Sequence, residues 1–269
     1  MLDTLPTHIP ARDPAAPTAI PRVIHQTFET ATVPRGMARA AQSWPALNPR
    51  FHWQFHDAPA RRQFIATAYG GDVLRAYDLL KDGAFKADLW RYCLLYTQGG
   101  VYADIDMVCL TDLDHVLRPG DRLVVAPDGY RPWALSNGFI CAAPRNPILL
   151  AAIERATAQI LKRRPRFQGW LATGPGNLGR AANSVLNRAP DARFQGGTDC
   201  GTLRLIDRAN ASPTMRRHFH ADGHPILLTE YQEYRDDLAD HGVDHWSASI
   251  PAPRLIGRLR RKLGLGALT

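Results

Sequence analysis

The stretch from Phe85 to Leu110 constrains the fold more than any other part of the chain. It reads FKADLWRYCLLYTQGGVYADIDMVCL. Residues 86–97 form a mostly apolar run of about three helical turns, and Gly99-Gly100 is a typical helix stop, because glycine adopts the left-handed conformation without steric cost. The alternation from Val101 to Cys109 then predicts a strand. A helix followed by a strand is therefore expected at the centre of the fold.

Two aspartates on this predicted strand indicate a metal site. In a strand, Asp104 and Asp106 would lie on the same face, roughly 6 to 7 Å apart. Two carboxylates that close repel each other unless one is protonated or a cation lies between them. Mg²⁺ or Mn²⁺ takes one or two protein carboxylates and adds phosphate oxygens and water, so a nucleotide diphosphate is the expected companion. A pair of aspartates that faces solvent at a sheet edge is the alternative.

The same residues resemble a known family. The sequence KADLWRYCLLYTQGGVYADIDM looks like the signature of the family 32 glycosyltransferases, whose sugar-binding region contains Asp-x-Asp, and it is similar to the glucosylating domains of large bacterial toxins. Weaker similarity extends from about Pro21 to about Ser249. The resemblance implies a GT-A fold, a metal-bound nucleotide sugar and transfer with retention of anomeric configuration.

The resemblance also assigns roles to three residues outside the aspartate pair. Asp88 is expected to bind hydroxyls of the donor sugar, and Arg91 to contact its diphosphate or sugar. An ion pair on a helix surface, worth a few tenths of a kcal/mol, is the alternative for these two residues. Asn137 matches the family's Asn-Gly-Phe step near the donor sugar, with a simple turn as its alternative. The resemblance thus makes all three candidate catalytic residues, and Asp88 and Arg91 also donor-binding residues.

A second polar group lies at the end of the first predicted buried strand, which runs from Pro21 to Phe28. Ligands of open α/β sheets bind at the carboxyl ends of strands, so His25, Gln26 and Thr27 are expected to border the nucleotide together with Asp104. A core strand that ends in a polar turn is the alternative.

The resemblance supplies one further candidate near the end of the chain. The segment from Asp244 to Ser249 is similar to the family's closing motif, although Ile250 stands where the family has tryptophan. His245 is therefore a candidate ligand of the metal or the diphosphate, and a structural histidine is the alternative.

The order of predicted elements favours α/β architecture. A helix over 36–47, a strand over 51–55 and a helix from a capping Asp57 to Tyr69 precede the central segment. We predict one GT-A-like domain over 21–250, with a mixed, mostly parallel sheet flanked by helices. Residues 1–20 contain four prolines and predict a flexible leader.

Charge is concentrated at the end of the chain. The formal net charge is +8, but residues 251–269 carry five basic and no acidic residues, so the rest carries only +3. This distribution argues against a nucleic-acid-binding surface. Leucines at every fourth position among these basic residues predict an amphipathic tail that could bind anionic lipid through residues 254–265. A charged helix in solution is the alternative.

The cysteine pattern and the hydropathy of the chain indicate its cellular compartment. Cys93, Cys109 and Cys141 lie in apolar segments, and with Cys200 they have no metal-ligand spacing, which favours free thiols in a reducing compartment. Neither a membrane-spanning run nor a signal-peptide pattern is found. We therefore expect a cytoplasmic protein that associates peripherally with the inner face of the membrane.

Together these patterns predict a metal-dependent glycosyltransferase. Its cofactor would be Mn²⁺ or Mg²⁺ held by Asp104, Asp106 and His245, its donor a UDP- or GDP-hexose, and its acceptor a saccharide or lipid-linked molecule. One alternative is a haloacid-dehalogenase-type phosphatase in which Asp104 forms an aspartyl phosphate, since residues 104–108 also fit an Asp-x-Asp-x-Val nucleophile loop. Another is a non-catalytic membrane-associated adaptor. No residue stands out as a general base.

Overall fold

The computed structural model of the protein describes residues 1–162, 169–209 and 218–240. The chain divides into two compact units, Met1–Tyr234 and Arg235–Thr269. The boundary therefore falls inside the domain predicted over 21–250. In the second unit, the described residues are those of helix α8 (Tyr234–Asp240) that follow Tyr234.

The first unit alternates strands and helices. In chain order its elements are β1 (Leu2–Thr4), β2 (His8–Ile9), β3 (Val23–Thr27), β4 (Thr32–Pro34), α1 (Arg35–Leu47), β5 (His52–His56), α2 (Ala58–Ala68), α3 (Gly71–Leu79), α4 (Gly83–Gln98), β6 (Gly100–Ala103), β7 (Val108–Cys109), a 3₁₀ turn (Leu113–His115), β8 (Leu123–Val125), β9 (Phe139–Ala142), α5 (Pro147–Leu161), α6 (Gly169–Ala172), α7 (Pro175–Val185), β10 (Arg204–Leu205), β11 (Asp207–Ala209), β12 (His218–Ala221) and β13 (His224–Leu228).

A seven-stranded mixed sheet forms the centre of this unit and confirms the predicted α/β class. Its strand order is β10-β8-β9-β6-β3-β5-β2. The central strands β5, β3 and β6 are parallel, so Thr27 and Ala103 end at the same edge. Strand β9 is antiparallel to β6 and pairs its first residue, Phe139, with Ala103. The chain segments that follow β3 and β6 and precede β9 therefore converge at one edge of the sheet.

A second sheet lies further along the chain. It has four antiparallel strands in the order β11-β12-β13-β7. Strand β7 follows β6 closely in sequence but pairs with β13, Val108 with Leu228 and Cys109 with Leu227. The chain thus passes from one sheet to the other between β6 and β7.

This crossing corrects the strand predicted over residues 101–109. The Asp-x-Asp pair lies between β6 and β7 on a turn closed by a 3.1 Å hydrogen bond from the Met107 amide to the Asp104 carbonyl. Ile105 and Met107 are both buried on this turn. Their burial produces the period-two pattern without a continuous strand, so Asp104 and Asp106 are not alternate residues on one strand face.

The predicted flexible leader is also corrected, because two strands form within residues 1–20. Strand β1 pairs with β4, and β2 pairs with β5 as an edge of the seven-stranded sheet. Leu5 and Ile20 are buried. Proline disfavours an inner strand, because it has no amide hydrogen to donate, but it is tolerated in a short edge strand. The proline content of residues 1–20 alone therefore does not indicate disorder.

Helix α4 agrees closely with the sequence prediction. Its residues 87–95 are all buried, and it ends at Gly99 with φ of +70°. A Cβ on Gly99 would lie 2.9 Å from the Ala142 carbonyl oxygen, and one on Gly100, with φ of +102°, would lie 2.7 Å from that of Val23. The Gly-Gly pair therefore ends the helix and lets its backbone pass close to the sheet.

The core includes two tryptophans and three of the four cysteines. Trp44 and Trp53 are fully buried. Cys93, Cys109 and Cys141 are buried free thiols, as predicted, whereas Cys200 is exposed. Within the described ranges, no helix has both the length and the hydropathy needed to cross a bilayer.

Three ring side chains form a buried cluster between β3, β5 and α4. The rings of His25 and His56 lie 5.6 Å apart, and those of His56 and Trp90 lie 4.9 Å apart. Burial lowers the pKa of His25 to about 3 and that of His56 to about 4. Asp57 favours and Arg61 opposes protonation of His56. Both histidines are therefore neutral in the folded protein at neutral pH.

This cluster predicts a stability that depends on pH. Because the folded-state pKa of His56 is below its ordinary value, the stability that neutral His56 contributes is lost as pH falls from about 6.5 towards 4. The free energy of unfolding of the wild type, measured with urea, should therefore fall when the pH is lowered from 7.5 to 5. We expect this fall to be about 2 kcal/mol smaller in His56→Phe. His115→Asn, on an exposed histidine, is the control. Parallel pH profiles for wild type and His56→Phe would contradict the assignment.

Candidate active site

Asp88 is the centre of a buried polar cluster at the edge where the strands converge. Its Oδ1 accepts a 2.7 Å hydrogen bond from Asn137 Nδ2, and its Oδ2 accepts a 3.0 Å bond from Thr173 Oγ1. Asn137 precedes β9 and Thr173 precedes α7, so three distant segments meet here. Tyr92, one turn along α4, donates a 2.7 Å hydrogen bond to the Thr173 carbonyl and holds this loop in place.

Arg91 joins this cluster to the Asp-x-Asp turn. Its Nη2 lies 3.2 Å from Asp88 Oδ1, and its Nη1 lies 3.1 Å from Asp104 Oδ1. Nη1 also donates to the Asn137 carbonyl, and Nε donates to that of Ala87. The guanidinium group stacks on the ring of Tyr102 at 4.2 Å. It is only 5% exposed, so it is enclosed by protein acceptors and orients two carboxylates at once.

Asp104 is held on several sides but remains reachable. Its Oδ1 accepts a 2.6 Å hydrogen bond from Tyr102, and its carbonyl accepts one from Gln26 Nε2 at 3.2 Å. Its amide donates to the Gly138 carbonyl at 2.8 Å, which extends the β6–β9 pairing by one residue. A Cβ on Gly138 would lie 2.6 Å from Asp104 Oδ2. The Asp104 side chain is 35% exposed, so its free oxygen can reach a ligand.

Asp106 lies further along the same turn, among groups from the second sheet. Its carbonyl accepts a 3.0 Å hydrogen bond from the Tyr231 amide, three residues after β13. The rings of Tyr231 and Tyr234 pack edge to face at 5.4 Å. Glu230 is close enough to act on Asp106 electrostatically. The four-stranded sheet thus brings one acidic and two aromatic residues to the Asp-x-Asp turn.

The acidic groups of the site strongly disfavour one another's charge. Burial raises the pKa of Asp106 well above its ordinary value, and the carboxylates of Asp104 and Glu230 raise it further. Burial also raises the pKa of Asp88 to about 6, which Arg91 opposes and Asp104 reinforces. Burial opposes the charge of Arg91, but Asp104 and Asp88 keep its pKa above the ordinary value. One cationic side chain is therefore set among several carboxylates.

This charge pattern is what a divalent cation site requires. Asp104 and Asp106 belong to one turn, are hard oxygen donors, and repel each other without a cation between them. Within the described ranges, no group of three or more His, Cys, Asp or Glu side chains is arranged to hold a metal. The two aspartates fit an ion of the Mn²⁺ or Mg²⁺ type that takes its other ligands from a bound substrate and water.

The structure separates the residues predicted along β3. Gln26 reaches the Asp104 carbonyl and accepts a hydrogen bond from Trp53 Nε1 at 2.9 Å. His25 lies in the cluster with His56, and Thr27 accepts a 3.0 Å hydrogen bond from Arg61. Side chains alternate along a strand, so Gln26 faces the Asp-x-Asp turn and its two neighbours face the other side of the sheet. His245 lies outside the described residues.

Sequence reasoning missed several residues of the site. Tyr92 and Tyr102 had a local signal, since they lie four residues after Asp88 and two residues before Asp104 on the same faces. Glu230, Tyr231 and Tyr234 had none, because the pairing of β13 with β7 alone brings them to the turn.

An α/β fold with an Asp-x-Asp turn at the carboxyl edge of its central sheet is typical of the GT-A fold. Among solved structures, "PaToxG Glycosyltransferase" superimposes with a TM-score of 0.52 at 15% identity, covering 62% of this chain and 70% of that chain. This likeness shows the fold and confirms the GT-A prediction.

Residues 34–123 match the family model described as "Glycosyltransferase sugar-binding region containing DXD motif". The match contains Asp88, Arg91 and both aspartates of the turn. It confirms the predicted resemblance over these residues.

Curated relatives match about half of this chain. The chain is 33% identical over 150 residues to inositol phosphoceramide mannosyltransferase 3 of Schizosaccharomyces pombe, covering 55% of this chain and 38% of the relative. It is 30% identical over 142 residues to mannosyl phosphorylinositol ceramide synthase SUR1 of Saccharomyces cerevisiae, covering 52% of this chain and 36% of the relative. The matched region therefore spans less than half the length of these relatives.

The enclosed guanidinium predicts a large stability cost for its removal. Arg91→Met leaves Asp88 and Asp104 without their shared cation, and we expect it to lower the free energy of unfolding by about 3 to 5 kcal/mol. Arg62→Met is the matched control, because Arg62 pairs with Asp78 on the exposed surface, where such a pair is worth about 1 kcal/mol or less. Equal losses in chemical denaturation of the two variants would contradict a structural role for Arg91.

The close approach of Gly138 to Asp104 predicts a second effect. The added methyl group of Gly138→Ala would lie 2.6 Å from Asp104 Oδ2 and from Met107 Cε, so the ends of these two side chains must shift. We expect a loss of about 1 to 3 kcal/mol in the free energy of unfolding and a displaced Asp104 carboxylate in a crystal structure. Gly120→Ala, where nothing lies within 4 Å, is the control. An unmoved carboxylate with wild-type stability would refute the prediction.

Proposed function

We propose that the protein is a metal-dependent glycosyltransferase that moves a hexose from a UDP- or GDP-hexose to a saccharide or lipid-linked acceptor. The observation that carries this proposal is the Asp-x-Asp turn joined through Arg91 to the buried Asp88 cluster. The turn offers carboxylates for an ion and its diphosphate, and the cluster offers hydrogen-bonding groups beside it. The match of residues 34–123 to a glycosyltransferase sugar-binding region supports the same assignment.

Asp104 and Asp106 would hold Mn²⁺ or Mg²⁺ in this site. A bound divalent ion would neutralise the charge that develops on the diphosphate as the glycosidic bond breaks. Asp104 is fixed for this task by Tyr102, Arg91 and Gln26. His245 remains a candidate ligand by resemblance to the family.

Asp88 and Asn137 would bind the hexose. Asp88 Oδ1 already contacts Asn137 and Arg91, whereas Oδ2 accepts one side-chain hydrogen bond, from Thr173, and keeps a further acceptor site for a sugar hydroxyl. We assign Arg91 to positioning, because its guanidinium already contacts protein acceptors and is nearly fully enclosed. His25 and Thr27 would then support β3 from the opposite face of the sheet, while Gln26 supports the metal-binding turn.

Acid–base chemistry would fall to the substrate. Asp88 has a pKa of about 6, but it accepts hydrogen bonds from Asn137 and Thr173 and pairs with Arg91, which makes it a poor base. We infer that the departing diphosphate takes the proton from the acceptor hydroxyl, which attacks the sugar on the face that the diphosphate leaves. Transfer on that face of the sugar retains the anomeric configuration.

The relatives narrow the first substrates to test. Their names describe mannosyl transfer to inositol phosphoceramide, which supports mannose as the hexose of the donor and a lipid-linked acceptor. The family match favours sugar transfer over the phosphatase alternative with an Asp104 nucleophile. Peripheral membrane association through residues 254–265 remains a prediction that lies outside the described residues.

Removal of one carboxylate tests this proposal. We expect Asp106→Asn to abolish nucleotide release from the preferred donor of a UDP- and GDP-hexose panel with Mn²⁺ present. The metal-free variant should unfold at the wild-type temperature or above, because burial and neighbouring carboxylates disfavour the charge it removes. Mn²⁺ with donor should raise the melting temperature of the wild type but not of the variant.

The control is Asp72→Asn, which removes an equal charge from the exposed surface of α3 and should leave turnover and Mn²⁺ stabilisation unchanged. Full activity of Asp106→Asn, or wild-type turnover in excess chelator, would overturn metal-dependent transfer. A wild-type protein that releases no nucleotide from any donor would favour the adaptor alternative, and phosphate trapped on Asp104 would favour the phosphatase.

A further inference from the structure

A cavity of about 510 Å³ lies away from the Asp-x-Asp turn, beside the second half of α7. Helix α5 contributes Arg155, helix α7 contributes Arg180 and Ser184, and the loop after α7 completes it with Asn187, Arg188 and Pro190. Its size is that of a small-molecule pocket.

Three arginines line this cavity. Within the described ranges, none of them forms an ion pair with a carboxylate. The Nε atoms of Arg155 and Arg180 are buried and lack a hydrogen-bond partner among the described residues. Burial lowers the pKa of Arg155, and the nearby charge of Arg180 lowers it further. Two like charges are therefore held close together with unused donors.

Aromatic contacts hold two of these guanidinium groups in place. Arg180 stacks on Trp133 at 4.9 Å, and Arg188 stacks on Phe194 at 4.8 Å. Arg188 also donates to the Arg193 carbonyl. A planar guanidinium fixed in this way retains donors for a planar or tetrahedral anion. These two side chains are therefore already ordered, so binding of an anion would cost little of their conformational entropy.

The cavity is linked to the Asp88 cluster through one packed path. Trp133, on which Arg180 stacks, contacts Trp170 edge to face at 5.5 Å. Trp170 lies one turn before Thr173, which donates to Asp88. Arg180 is five residues into α7 from Pro175, about 8 Å along the helix. The cavity and the proposed hexose site therefore share α7 and the loop before it.

We propose that the Arg155–Arg180–Arg188 cavity binds a phosphate ester group, and that this group belongs to the acceptor. Phosphate esters are tetrahedral dianions or monoanions with several acceptor oxygens, which match converging guanidinium donors together with the Ser184 hydroxyl and the Asn187 amide. The cavity exceeds the volume of one phosphate, so part of the esterified group would enter as well. The acceptor role rests on the proposed function, whereas phosphate binding does not.

Direct titration tests the site without turnover. The full-length protein would be titrated calorimetrically with inorganic phosphate and with the soluble diester glycerophosphoglycerol, and assayed for flotation with phosphatidylinositol vesicles. We expect Arg180→Gln and Arg155→Gln each to weaken binding at least about tenfold, since each removes charge-assisted hydrogen bonds. Arg75→Gln, which loses an equal charge on exposed α3, is the matched control and should bind as the wild type does.

The outcomes separate the source of the phosphate and the two proposals. If the wild type binds the soluble phosphates and both glutamine variants do not, the site is assigned to a water-soluble phosphate. If the wild type binds only the vesicles and both variants do not, it is assigned to a lipid headgroup.

Asp106→Asn should still bind phosphate, because this substitution alters only the proposed metal site. An inactive enzyme with intact phosphate binding would therefore count against the transfer reaction alone. Binding equal in Arg180→Gln, Arg155→Gln and Arg75→Gln, or none by the wild type, would overturn the phosphate site. Should either glutamine variant fail to fold, Arg180→Lys, which keeps the charge but loses the fork of donors, should bind more weakly than the wild type.

Discussion

The site depends on one buried guanidinium group shared by two carboxylates. Arg91 contacts Asp88 on its own helix and Asp104 on the turn after β6, and it also holds the carbonyl before Gly138. A buried cation is tolerated only where its partners are close and its donors are used. That requirement fixes α4, the end of β6 and the start of β9 relative to one another. The edge of the sheet is therefore organised by electrostatics as much as by apolar packing.

Several acidic side chains lie close together at the Asp-x-Asp turn. Asp104, Asp106 and Glu230 act on one another, and a single arginine serves both Asp88 and Asp104. In a partly buried setting this repulsion is relieved by protonation or by a cation from solution. At α5 and α7 the repulsion is between positive charges, because Arg155 and Arg180 lie close together with unused donors. Each cluster is therefore suited to a ligand of the opposite charge.

Helices and their ends followed from local chemistry. The Gly99-Gly100 stop, the Asp57 cap and the buried face of α4 were all predictable, because each depends on neighbouring residues alone. The Asp88–Arg91 pair was visible as an i, i+3 spacing on one helix. The strand over residues 101–109 was wrong, since period-two burial arises both in a strand and in a turn packed on two sides. Prolines similarly concealed the edge pairing of β1 and β2.

Sequence alone predicted the resemblance of the central region to a glycosyltransferase sugar-binding region, the α/β class and most of the chemical groups at the site. Tertiary structure alone decided which of those groups meet: Gln26 with the Asp104 turn but not His25 or Thr27, and Asn137 with Asp88 across 49 positions of chain. It also brought Glu230 and the two tyrosines to Asp106 through the pairing of β13 with β7. The physical reason is that strand order and sheet crossing depend on non-local hydrogen bonds, for which a local pattern of residues carries no signal.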